Sequence, residues 1–226
     1  MRSTSRWLGF LAIILAFIGA APARAQEKRL EISANAGYTS SDGVTGDSIL
    51  AGDGNLYNSI EPKDAFSWSV TLGYFVTEQV EVEGLFAHQA SKLVIGGTAQ
   101  RELGDMGVDN YHGGVSYNFG AAEARARPFF FIGLGATHFG GVSFTAVGGQ
   151  TREILSQTKF STTWGAGVKF YPGKNAGLRL GVRWTPTYIK SDSAGWWCDP
   201  YWGCYVVGNA QYSNQFEFSG GLTLRF

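Results

Sequence analysis

The stretch NQFEFSGGLTLRF, Asn214 to Phe226, alternates without a break. Phe216, Phe218, Gly220, Leu222, Leu224 and Phe226 take every second position. Gln215, Glu217, Ser219, Gly221, Thr223 and Arg225 fill the gaps. Successive side chains of a strand point to opposite faces, so this segment is apolar on one face and polar on the other. The same period recurs in LEISANAGY (30–38), FSWSVTLGY (66–74), VEVEGLFAH (80–88) and YHGGVSYNF (111–119). It recurs again in PFFFIGLGATHF (128–139), STTWGAGVKF (161–170) and LRLGVRWTPTY (178–188). With the terminal run, the spacing predicts eight strands.

The connectors alternate as well. Residues 75–79, 120–127 and 172–176 are short, and residues 40–65, 91–108, 140–159 and 189–213 are long. An antiparallel up-and-down barrel gives this rhythm, with tight turns at one rim and free loops at the other. A soluble sandwich has no reason to place every long loop at one end. Each apolar stripe covers roughly nine to eleven residues, enough for a tilted strand to cross the hydrocarbon core. Aromatic rings at the ends of the stripes fall into two belts. Tyr74, Tyr117, Phe119, Phe170 and Phe226 lie at the short-turn rim; Tyr38, Phe66, Trp68, Phe86, Trp184 and Tyr188 lie nearer the other. Such belts mark the two membrane interfaces.

The beginning of the chain sets the compartment. Arg2 and Arg6 precede the uncharged run WLGFLAIILAFIGAA (7–21), and Ala23 and Ala25 form an A-x-A cleavage pattern. Residues 1–25 read as a secretory signal peptide of a bacterial protein, and residues 26–226 as one domain beginning at Gln26. Cleavage removes Arg2, Arg6 and Arg24 and no acid, so 18 basic residues fall to 15 against 18 acids. Without a basic surplus, nucleic acid is not a partner. Glycine is abundant at 32 residues, aromatics reach 15% and charged residues only 16%. That balance suits a sheet with a lipid-facing outside and a tightly packed inside. Only helices and closed barrels satisfy their backbone in lipid, and no further apolar run is long enough for a helix. The expected fold is therefore all-β, an eight-stranded antiparallel up-and-down transmembrane β-barrel. Its last strand pairs with residues 30–38 to seal it.

A terminal Phe226 behind Leu222 and Leu224 resembles the C-terminal signal of bacterial outer-membrane barrels. In that family the signal is read by the barrel-assembly machinery. Eight strands after a signal peptide resemble the OmpA-type transmembrane domain and the OmpX and opacity-protein group, over the whole mature chain. The resemblance implies the cell outer membrane, with long loops extracellular and both mature termini periplasmic. It also implies a monomer in contact with outer-membrane lipid. Unlike full-length OmpA, the chain is expected to stop at the barrel, with no peptidoglycan-binding domain.

Eight strands leave an interior just wide enough for side chains. The inward positions carry Glu31, Glu81, Glu83, Lys169, Arg179 and Arg225, with Arg183 deeper. Unpaired, each charge would cost several kcal/mol. Paired, they would plug the lumen, and Glu81 and Glu83 are expected to reach Arg179 and Arg183. Inward glycines at 133, 135, 165, 167 and 181 are expected to leave room for these long side chains. A water-filled polar lumen that passes small solutes is the competing reading.

Cys198 and Cys204 are the only cysteines. An even count in an exported chain, with Pro200 and Gly203 between them, points to a loop disulfide. Two thiols and Asp199 with no nearby His are too few for a metal, and no cofactor is implied. Trp196, Trp197, Tyr201, Trp202 and Tyr205 crowd the same loop. They form either a binding surface for an extracellular ligand or packing against the barrel mouth. Barrel enzymes acting on lipid A carry His and Ser two apart on one strand. His88, His112 and His138 have no such neighbour, so no catalytic residue is assigned. The function expected is structural or surface interaction, such as membrane integrity or adhesion, with a plugged lumen. A narrow porin-like channel is the alternative.

Overall fold

The computed structural model describes residues 29–50, 54–145, 151–173, 175–189, 198–199, 203–204 and 212–226, and every regular element among them is a strand. In chain order these are β1 (Leu30–Ser41), β2 (Val44–Leu50), β3 (Leu56–Pro62), β4 (Ala65–Phe75) and β5 (Val80–Gly97). Next come β6 (Arg101–Asn118), β7 (Ala126–Phe139), β8 (Val142–Thr145), β9 (Thr151–Ile154) and β10 (Gln157–Phe170). The chain closes with β11 (Ala176–Tyr188), β12 (Cys198–Asp199), β13 (Gly203–Cys204) and β14 (Tyr212–Arg225). Eight of them, β1, β4, β5, β6, β7, β10, β11 and β14, each pair antiparallel with two neighbours and close into a barrel.

The terminal alternation becomes the closing seam. β14 pairs with β1 from Glu31 opposite Arg225 to Ser41 opposite Gln215. Reciprocal backbone bonds between Leu30 and Phe226 finish it: Phe226 N donates to Leu30 O at 2.9 Å and Leu30 N to Phe226 O at 3.3 Å. Gly221 makes this contact close, because a Cβ there would overlap the Ala34 carbonyl oxygen.

Burial is inverted relative to a soluble protein. Leu222 is 65% exposed and Phe218 64%, whereas Glu81 and Lys169 are both 0% exposed. The wall presents leucines, valines and aromatics outward; the interior holds Ser, Thr, Asn, Gln, Glu, Lys and Arg. This places the hydrophobic contact in the bilayer and leaves the polar groups to satisfy one another inside. Rings also meet along the outer wall. Trp68 packs edge-on to Phe86 at 5.4 Å, and Phe86 meets Tyr111 at 5.1 Å.

All four long connectors expected as loops contain paired strands, the last of them the short β12–β13 pair. β5 and β6 run on through residues 91–108 and stay paired as far as Ile95 opposite Arg101. Within residues 40–65, β2 and β3 form a hairpin whose second strand joins β5, with Ile60 opposite Ile95. Residues 140–159 contain the β8–β9 hairpin. The reason lies in the run KLVI at 92–95, which does not alternate. A register shift between Leu93 and Val94 changes the phase, and both residues are buried. Val44, Ile60, Leu93, Met106, Val108, Phe139, Val142 and Ile189 form an apolar core at this end. The barrel thus carries a cap built like a soluble protein above its polar interior.

Candidate functional site: the charged lumen

Period-two alternation turns Glu31 of β1, Glu81 and Glu83 of β5, Lys169 of β10, Arg179 of β11 and Arg225 of β14 into the short-turn half of the lumen. Lys169 lies at the centre. Its Nζ is 2.6 Å from Glu31 Oε1, 2.6 Å from Glu81 Oε2 and 3.8 Å from Glu83 Oε1. Arg179 Nη2 donates to Glu83 Oε2 at 2.9 Å, and Arg225 Nε to Glu31 Oε2 at 2.9 Å. Tyr171 Oη donates to Glu31 Oε2 at 2.5 Å and Asn118 Nδ2 to Glu81 Oε2 at 3.1 Å. Lys169 and Arg179 stand directly opposite each other on β10 and β11. Like charges so placed repel, and the carboxylates crossing from β5 and β1 offset that repulsion.

Arg183 sits apart from this cluster. It meets Glu217, its direct partner across β11 and β14, with Nη2 to Oε2 at 2.5 Å. The expected partners therefore hold only for Glu83 with Arg179. Glu81 turns to Lys169, and Arg183 finds an acid on the adjacent strand rather than across the lumen. Strand register decides this: Glu81 lies nearer the short-turn rim than Glu83, level with the ends of β10 and β1.

The glycines also play a different part from the one expected. The space beside Gly167 and Gly181 is filled by the ring of Phe129, and that beside Gly133 and Gly165 by Phe131. Gly135 accommodates His112. Room for an acid comes instead from Gly73, where a Cβ would overlap Glu81 Oε1. The rings in turn carry the cations. Arg179 stacks over Phe129 at 4.4 Å, and Arg225 over Tyr171 at 3.8 Å and Phe75 at 5.0 Å. Lys169 lies 5.5 Å from both Phe75 and Phe129. Such contacts help to hold a desolvated cation.

Phe75, Arg127, Tyr171, Phe129 and Glu217 belong to the site but escaped the sequence reading. Phase could have found all five: Arg127 and Phe129 precede Phe131 in its inward series, and Glu217 stands among the polar positions of the last strand. Phe75 continues the inward series of Gly73, and Tyr171 that of Lys169, each one step past an apparent strand end.

Above the charges the lumen is neutral and hydrogen-bonded. Thr137 Oγ1 donates to Asn110 Oδ1 at 2.7 Å, and Asn110 Nδ2 to Gln215 Oε1 at 3.0 Å. His112 Nε2 meets Ser161 Oγ at 2.9 Å. Between the two zones lies a cavity of about 40 Å³, lined among others by Glu83, Arg179, Arg183 and Glu217. That volume holds a few waters at most.

On the strands beyond the membrane wall, Glu102 accepts from Lys63 at 2.5 Å and Lys92 at 2.8 Å. The two hydrogen bonds hold its carboxyl at about 2, below the ordinary 4.5. Glu61 is raised, first by burial and then by the charges of Asp64 and Asp42.

The remaining sequence-predicted residues are placed as follows. Leu222, Leu224 and Phe226 all face outward and exposed. The backbone of β12 and β13 sets Cys198 opposite Cys204. Trp196, Trp197, Tyr201, Trp202 and Tyr205, with the expected signal peptide, lie outside the described residues.

A closed, inside-out barrel with a polar interior defines the outer-membrane β-barrel class. The chain belongs to the family described as outer membrane protein beta-barrel domain, which matches residues 9–226. Its place is the bacterial outer membrane. No curated protein matches the sequence. Among solved structures it is similar to OprG of Pseudomonas aeruginosa, with a TM-score of 0.60 and 12% identity over 88% of this chain and 96% of that one. It is also similar to the neisserial surface protein A, with a TM-score of 0.54 and 16% identity over 87% of this chain and 97% of that one. Outer membrane protein AlkL, solved in lipid bilayers, gives 0.50 and 16% over 92% and 95%. At such identities the likeness speaks to fold alone.

Proposed function

We propose that this is a closed barrel whose role is structural or carried by its outer surface, in membrane integrity or adhesion, and that its lumen does not conduct. The long-loop end with its apolar cap faces outward; the short turns and both mature termini face the periplasm. The observation that carries this reading is the fully buried Lys169 bound to two carboxylates that reach it from other strands of the lumen wall. An ion would have to break a desolvated network, and breaking one such pair costs roughly 3–5 kcal/mol. Phe129 and Phe131 pack against the lumen glycines beside it, and an apolar core gathers at the long-loop end. A lumen plugged in this way leaves contact with other molecules to the loops. The backbone register of Cys198 and Cys204 suits a disulfide there, since directly opposed strand residues lie within bridging range.

Single-channel recording of the refolded protein in a planar bilayer tests the reading, beside a Glu81→Ala/Glu83→Ala variant. A silent wild type and a conducting variant are expected. Steady conductance from the wild type would overturn the plug and make the chain a narrow porin-like channel.

A further inference from the structure

The buried charges at the short-turn end do not balance. Glu31, Glu81 and Glu83 face Lys169, Arg179, Arg225 and also Arg127, so one cation is in excess. Arg127 is that cation. It is 1% exposed, and its Nη2 donates only to the main-chain oxygen of Glu78. Its Nε has no hydrogen-bond partner, and neither has Nη2 of Arg225, itself 8% exposed. Among the described residues no carboxylate stands within ion-pair distance of Arg127. A buried guanidinium without an anion is costly, and such a group is kept where something completes it.

Both residues line a recess of about 550 Å³ at the mouth, floored by Phe75 and Tyr171. Arg29 and Arg125 stand on its rim. Glu78 and Glu123 line it too, and neither of their carboxylates pairs with Arg127. The arginines come from different strands and turns and so approach from several sides. A planar carboxylate offers two oxygens to such a ring, whereas a tetrahedral oxyanion offers an acceptor in each direction. Arginine forks suit phosphate in this way.

We infer that the short-turn mouth is a phosphate-binding site centred on Arg127 and Arg225. It takes the phosphate group either of a free periplasmic anion or of a phospholipid headgroup. The site abuts the charged plug and shares Arg225 with it, through the bond of Arg225 to Glu31.

The refolded protein, in an uncharged and phosphate-free detergent, is titrated with inorganic phosphate while the arginine Nε–H resonances are followed by NMR. Saturable shifts at Arg127 and Arg225, absent with chloride at matched ionic strength, are expected if the source is a soluble anion. If the source is a headgroup, the same shifts come only when phosphatidylglycerol is added. Arg127→Gln should weaken the response about tenfold, the factor carried by one charge-assisted hydrogen bond. Arg101→Gln, at the opposite end, should leave it unchanged. No response in the wild type to either probe overturns the site, and so does an undiminished response in a folded Arg127→Gln. If that variant does not fold, the wild-type resonances decide alone.

Discussion

At the scale of the residue, Lys169 is the most demanding position in the molecule. A single ammonium, wholly buried, faces three carboxylates. Lys169→Met keeps the length of the side chain but leaves those acids uncompensated. The expected loss is about 3–5 kcal/mol of unfolding free energy, measured by urea titration in micelles. Adding Glu81→Gln to that variant removes one stranded charge and should recover part of the loss. The cycle of four proteins then gives a coupling well above the ~0.5 kcal/mol expected of independent sites. The sign and the face of each lumen charge were legible in the sequence, because alternation fixes the face. Partners were not, because they depend on register across strands far apart in the chain. Glu31 and Arg225, 194 residues apart, become neighbours only once β1 and β14 pair.

At the scale of the element, the eight barrel strands were legible because lipid outside and polar groups inside enforce a strict period of two. The cap was not, because the register shift between Leu93 and Val94 changes the phase of β5 and puts two successive residues inside. Leu93 is fully buried in the cap core. Leu93→Ala should cost about 2–5 kcal/mol locally. Faster amide hydrogen exchange in β2, β3 and the outer halves of β5 and β6, with the membrane strands unchanged, would register it. Exchange accelerated equally throughout would mean that cap and barrel unfold as one unit. The cap also has a charge clip, since Lys63 of the β3–β4 turn and Lys92 of β5 converge on Glu102 of β6. The carboxyl of Glu102 is depressed in the folded state, to about 2 from 4.5. The clip therefore acts fully above about pH 4.5 and is lost as pH falls through about 2. A carboxyl ¹³C titration of Glu102 should give that low midpoint, and Lys63→Met should move it upward. The groups are exposed, so raised salt should shrink the effect.

At the scale of the whole molecule, closing the ring of eight strands leaves the membrane wall without an edge, and Phe226 takes part in the closure. Two properties meet in Phe226. Its main chain exchanges hydrogen bonds with Leu30, while its ring points outward, 58% exposed. The main-chain role survives any substitution that keeps the backbone; the ring's role in the folded barrel is only its share of lipid contact. Against this, an assembly signal in Leu222, Leu224 and Phe226, as the resemblance implies, would give the ring a task before the barrel closes. Stability and assembly should therefore separate in Phe226→Ala. Its unfolding free energy in micelles should stay within about 1 kcal/mol of the wild type, since no packed core is emptied and detergent or lipid refills the space. Its level in the outer membrane of living cells should fall several-fold. Quantifying the heat-modifiable folded form in isolated outer membranes, beside urea titrations of the refolded protein, makes the comparison. If both quantities drop together, the ring is a structural part of the seam. If neither drops, the terminal alternation marks a lipid-facing strand and nothing more.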